Sequence, residues 1–161
     1  MSRAWAVDGV LRPYDLMALA GLARGRSVQE IAAAIGTPYE TLRNRILRMR
    51  WRLGAASCAH AVAIAYRRGW LSGLTAEPRP SVLLSARQRQ VLALMADGLT
   101  NRQIATALGI TEDTAGTHAR RIYAALEASR PGATPAKSAR CHALALAYQH
   151  GHLIPTKEQP R

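Results

Sequence analysis

The stretch LSARQRQVLALMADGLTNRQIATALGITEDTAGTHARRIYAAL, Leu84 to Leu126, decides how the rest of the chain is read. Within it, Thr100 and Gln103 have the spacing of a capping box, in which each side chain satisfies a backbone N–H left over at a helix start. Gly109 supplies a tight exit, because glycine enters left-handed backbone without a Cβ penalty. Thr111, followed by Glu112 and Asp113, then caps a second helix and places carboxylates at the positive end of its dipole. A short helix, a glycine turn and a longer helix form a unit by which many bacterial proteins enter the DNA major groove.

The same pattern occurs earlier in the chain. Leu11, Leu19, Ala23, Gly25, Ile31, Ala32, Gly36, Thr41, Arg48 and Leu53 match Leu84, Leu92, Ala96, Gly98, Ile104, Ala105, Gly109, Thr114, Arg121 and Leu126 at one constant offset of 73 residues. After these helices the offset becomes 82, pairing Tyr66 with Tyr148, Gly69 with Gly151 and Leu71 with Leu153. The second copy therefore carries about nine extra residues, which we place in the turn Ser129 to Pro135.

The segment LTNRQIATALGIT, followed by Thr114, His118 and Ile122, resembles the helix-turn-helix of the LuxR (GerE) family of bacterial transcription regulators. The ending ALALAYQHGHLI from Ala143 is similar to that family's fourth helix, so the resemblance spans Leu84 to Ile154. It implies an all-α chain of two tandem four-helix helix-turn-helix units of the LuxR C-terminal, winged-helix-like type. The expected organisation is residues 1–71, a linker 72–83, residues 84–154 and a tail 155–161. One departure is that Thr114-Ala115-Gly116 stands where the family usually has Thr-Val-Lys, which removes a base- or phosphate-contacting lysine.

Composition agrees with a DNA-binding reading. Twenty-two Lys and Arg against 10 Asp and Glu give a formal net charge of +12, which suits a polyanionic partner. No run has the apolar length of a membrane span and no signal-peptide core opens the chain, so a cytoplasmic, nucleoid-associated protein without membrane contact is expected. Two cysteines are too few for a disulfide scaffold.

In the first copy, Ser27 and Glu30 form another capping box, Gly36 ends that helix, and Thr37-Pro38-Tyr39-Glu40 reads as an N-cap, an N1 proline and an N3 glutamate. In the following helix, Pro38 to Leu53, the residues Leu42, Ile46, Met49 and Leu53 fall on one inward stripe. Opposite lie Asn44, Leu47, Arg48 and Trp51, with Arg43 and Arg50 on one shoulder and Arg45 and Arg52 on the other. Arginines on both shoulders suit the phosphate walls of a groove, while Asn44 and Arg48 have the donors and acceptors that read base edges. The second copy's stripe is Ala115, Ala119, Ile122 and Leu126, with Thr117, Arg120 and Arg121 facing away and His118 matching a histidine of the family motif. This face is thinner and less charged, so the first copy is expected to dominate affinity.

The fourth helices, Ser57 to Arg68 and Ala136 to His150, are alanine-rich and apolar on more than one face. Their residues Ala59, Val62, Ala63 and Tyr66, or Ala143, Leu146 and Ala147, suit either an internal pair or a homodimer. Cys58, His60, Cys141 and His142 lack Cys-x-x-Cys spacing and read as small buried residues, so neither a metal nor another cofactor is called for. No phosphate loop, paired-carboxylate cleft or nucleophile–base pattern points to an enzyme. Two other functions compete with sequence-specific DNA binding. One is an RNA polymerase adaptor like region four of sigma factors, and the other is a protein-interaction module built on Trp51, Trp70 and the fourth helices.

Overall fold

The computed structural model describes residues 9–128 and 136–155. Among them are eight α-helices: α1 (Pro13–Ala23), α2 (Val28–Ile35), α3 (Tyr39–Leu53), α4 (Cys58–Arg67), α5 (Ala86–Ala96), α6 (Asn101–Leu108), α7 (Glu112–Ala125) and α8 (Ala136–Gln149). No strand occurs among the described residues, so the winged-helix likeness stops at the helices. After α3 only the short turn through Gly54 and Ser57 precedes α4, which leaves no chain for a hairpin. The expected insertion at 129–135 and the chain ends before residue 9 and after 155 lie outside the described residues.

The capping chemistry legible in the sequence forms as hydrogen bonds. Ser27 Oγ accepts from Glu30 N at 3.1 Å while Glu30 Oε2 accepts from Ser27 N at 2.7 Å, and Thr100 with Gln103 repeats the pair at 3.2 and 2.8 Å. Gly36 and Gly109 end α2 and α6 in left-handed backbone at φ 66° and 65°. The start of α3 differs from the sequence expectation. Thr37 N–H closes the preceding helix on Ala32 O at 3.0 Å, so Pro38 occupies the cap position without a side-chain acceptor. Thr111, the counterpart of Pro38, does cap, its Oγ1 accepting from Thr114 N at 3.2 Å.

The inward stripes pack as their spacing requires. Leu42, Ile46 and Met49 of α3 are buried, as are Ala115, Ala119 and Ile122 of α7 with Leu126 just beyond it. α3 packs on α1 and α2, and α7 on α5 and α6. Within each part the fourth helix packs on the first and third, α4 on α1 and α3 and α8 on α5 and α7, and three contacts join the parts: α4 packs on α8, α1 also meets α8, and α5 meets α4.

At this junction, residues offset by 82 meet as equals. The rings of Tyr66 and Tyr148 stack with centroids 5.3 Å apart and planes 6° from parallel. Gln149 Nε2 donates to the Tyr66 hydroxyl at 2.8 Å, and its counterpart Arg67 donates from Nε to the Tyr148 hydroxyl at 3.0 Å. These reciprocal bonds describe a local two-fold relation between α4 and α8. Ala59, Val62, Ala63, Tyr66, Ala143, Leu146 and Ala147 are all buried. The surface that sequence offered to a homodimer is therefore covered within the chain, because an alanine-rich face allows close approach of the two helices.

The segment between α4 and α5 is fastened rather than loose. Arg24 Nη2 donates to Thr75 O at 2.6 Å, Glu77 N donates to Gln149 Oε1 at 3.0 Å, and His150 Nε2 donates to Glu77 O at 2.7 Å. The Glu77 carboxylate faces Arg24 at 3.2 Å, Arg79 at 2.9 Å and the buried His142 Nε2 at 3.0 Å.

Candidate nucleic-acid interface

The outward side of α3 carries Arg43, Asn44, Leu47, Arg48 and Trp51, all exposed. Trp51 is 88% and Leu47 59% exposed, and with Arg48 and Arg52 they line a shallow depression on this helix. Large apolar groups in open solvent on a packed protein mark contact surfaces. Arg43 Nη1 also reaches Glu40 Oε2 at 3.4 Å, an exposed pair one turn back whose attraction water screens.

Three arginines expected on the groove-facing shoulders are engaged elsewhere. Arg52 Nη2 pairs with Asp15 Oδ2 at 2.5 Å, and its Nε donates to Val10 O at 3.3 Å. Asp15 is 5% exposed and also accepts from Arg12 N at 2.9 Å, so Arg52 serves as the counter-charge of a buried carboxylate. Arg50 Nη2 donates to Ala56 O at 2.6 Å, tying the turn after α3. The Arg45 guanidinium lies over the Tyr14 ring, 4.5 Å from its centre. Sequence spacing places these side chains beside the exposed face, but the neighbouring α1 and the α3–α4 turn supply nearer partners. The cations that α3 leaves toward solvent are Arg43 and Arg48.

On α7, Arg120 and Arg121 are exposed and Thr117 and His118 are half-buried. Arg120 Nη2 donates to Thr117 Oγ1 at 3.1 Å, one turn away. The first turn holds Glu112 and Asp113, so the N-terminus of α7 carries more negative side-chain charge than that of α3, which has Glu40 alone there.

Sequence reasoning assigned no role to Glu77 or Asp15, the two carboxylates around which the structural arginines gather. Asp15 has the local signal of an N3 acid after Pro13, but its pairing with Arg52, 37 residues on, and that of Glu77 with His142, 65 residues on, have none. Cys58 is half-buried and Cys141 buried, and burial raises both thiol pKa values. Among the described residues no group of three or more His, Cys, Asp or Glu side chains is placed to hold a metal ion, and no helix is long and apolar enough to cross a membrane.

A capped short helix, a left-handed glycine and a longer helix with an exposed polar face give this all-helical chain the build of a helix-turn-helix protein. Comparison with known proteins narrows that class for part of the chain. Residues 82–131 match the family model for bacterial regulatory proteins of the luxR family and carry a LuxR-type helix-turn-helix domain. Over 54 residues the chain is 43% identical to the HTH-type transcriptional regulator AlkS of Ectopseudomonas oleovorans, a match that covers 34% of this chain and 6% of that regulator. No solved structure matches the chain.

Proposed function

We propose that the chain is a transcription regulator made of two helix-turn-helix units, about residues 11–71 and 84–154, that binds double-stranded DNA sequence-specifically through α3 and α7. One observation carries this reading: α4 and α8 bury their apolar faces against each other across the Tyr66–Tyr148 stack, while α3 and α7 keep cationic and polar faces in solvent. A two-fold relation inside one chain suits the dyad of a duplex, and two such heads address two half-sites. The match of residues 82–131 to the luxR family and the partial likeness to a transcriptional regulator support regulation as the role.

Arg43, Arg48 and Arg121 supply phosphate contacts and most of the affinity, and Asn44 and Arg120 supply the choice of site at base edges. Arg45, Arg50 and Arg52 hold the presenting helix in place and add their charge at longer range. His118 is half-buried in the middle of α7. Residence with DNA inside the cell follows from this reading.

Titrating salt against binding of the full chain to duplex DNA tests it. Three phosphate contacts give a slope of log affinity against log salt of about −2.7. A flat response, or equal affinity for all sequences, would remove the proposal. The exposed Leu47 and Trp51 favour a second reading, an adaptor that docks a protein such as RNA polymerase on α3. Such apolar docking would hardly respond to salt.

A further inference from the structure

At equivalent positions of the two exposed helices the side chains differ in kind. Where α3 presents Arg43, Asn44, Leu47, Arg48 and Trp51, α7 has a buried Gly116, a half-buried Thr117 and exposed Arg120, Arg121 and Ala124 at the offset of 73. The backbone frame is repeated but the reading face is not: only Arg48 and Arg121 agree.

We propose that the DNA target is directional, with two unlike half-sites: one bearing adenine and thymine under α3, and one bearing guanine under α7. The chain then lies on its target in a single orientation. This rests on the DNA-reading function proposed above and specifies its substrate.

Groove chemistry supplies the assignment. The Asn44 amide matches the N6 and N7 edge of adenine. Leu47, 59% exposed, has no polar atom, so its favourable base-edge contact is the thymine methyl. Against guanine or cytosine it would leave a donor or acceptor unpaired in a desolvated groove. The equivalent residue on α7 is Arg120, whose guanidinium fork matches guanine O6 and N7. Its bond to Thr117 Oγ1 at 3.1 Å holds it along the helix face before DNA arrives, which limits the ordering that binding requires. The locked junction makes the inequality matter. Because α4 and α8 of one chain are already paired, the two heads cannot be exchanged for two copies of the better one, as they could in a homodimer.

Selection of random duplexes by the full-length chain, followed by sequencing, tests the proposal. The expected motif is non-palindromic, with half-sites about one helical turn or a multiple apart. Arg120→Ala should lower the preference for guanine in one half by about tenfold or more and leave the other half unchanged. Leu47→Arg should convert a thymine position of the other half to guanine. Both side chains are exposed, and a circular-dichroism melt verifies that each variant folds. Should Leu47→Arg unfold, Leu47→Gln, expected to favour adenine there, asks the same question. A palindromic motif from the unmodified chain, or both substitutions altering the same half-site, would overturn directionality while leaving DNA binding intact. Failure to enrich any duplex would instead remove the DNA-reading function, and this proposal with it.

Discussion

Gly98 lies against the His60 imidazole so closely that a Cβ at Gly98 would fall 2.4 Å from Nδ1. The mirrored pair has the same geometry: a Cβ at Gly25 would fall 2.9 Å from Nδ1 of His142. Each glycine follows the first helix of one part of the chain and each histidine belongs to the fourth helix of the other, so both contacts lie across the junction. His60 Nδ1 already accepts from Ala56 N at 3.0 Å and His142 Nδ1 meets Ala128 O at 2.9 Å, so neither ring is free to swing away. Gly98→Ala should destabilise the protein by about 1–3 kcal/mol through overpacking, beyond the strain of its φ of +88°. Gly36→Ala, at φ +66° with nothing within 4 Å, isolates the backbone strain alone, about 1 kcal/mol. Chemical denaturation of the two variants measures the difference, and equal losses would mean that the junction tolerates a methyl.

Arg48 and Arg52 lie on the same helix but serve different ends. Arg52→Ala should cost about 1–3 kcal/mol of stability, because it strands the buried Asp15 carboxylate. Arg48→Ala should leave the melting temperature within about 1 °C and flatten the salt dependence of DNA binding by about one unit of slope. Melting curves and binding titrations on both variants check this, and a stability loss from Arg48→Ala would contradict its placement.

Two positions of the second part are not optimised for helix formation. A Cβ at Gly116 would meet only Arg120 Nη1 at 3.6 Å and Asn101 Nδ2 at 3.7 Å, ordinary contacts, so Gly116→Ala should stabilise α7 by about 1 kcal/mol. Glu127 follows α7 with φ 51°, where its counterpart Gly54 has φ 65° after α3. Glu127→Gly should therefore relieve about 1 kcal/mol of left-handed strain, less what its loose contact with Arg79 Nε at 3.9 Å contributes. Denaturant midpoints test both, and a fall at either site would reveal an interaction these distances do not show.

Acid should loosen the Glu77 strap. Burial raises the carboxyl pKa, but the His142 charge, hydrogen bonds from Arg24 and His142, and the Arg79 charge together hold it below its ordinary value of 4.5. A depressed folded pKa stabilises above the unfolded value, and that contribution is lost as pH falls through the folded one. Melting temperature should decline in acid below about pH 4.5, and Glu77→Gln should lower it at neutral pH while flattening that decline. An unchanged acid limb in the variant would assign the decline to other carboxylates.

Burial also keeps the thiols protonated, so reagents that attack thiolate should find little at neutral pH. Cys141, 2% exposed, should resist alkylation until the chain unfolds, and half-buried Cys58 should react first and slowly. Mass spectrometry of the intact protein after alkylation, with and without denaturant, reads this directly, and rapid native labelling of Cys141 would show that α8 opens.

The order of the helices, the capping boxes at Ser27 and Thr100, the glycine exits and the inward stripes of α3 and α7 were written in the sequence, although the cap of α3 was not. Each rests on groups three to five residues apart, so local spacing is enough to specify it. The exposed positions of Asn44, Leu47, Arg48, Arg120 and Arg121 followed from the same periodicity. Tertiary structure alone decided that α4 and α8 pair inside the chain, that Arg52 belongs to Asp15 and Arg45 to Tyr14, and that Glu77 fastens the segment expected to be a linker. Those outcomes depend on which long side chain finds a partner across gaps of 31 to 82 residues, and helical periodicity says where an arginine starts, not where its guanidinium ends.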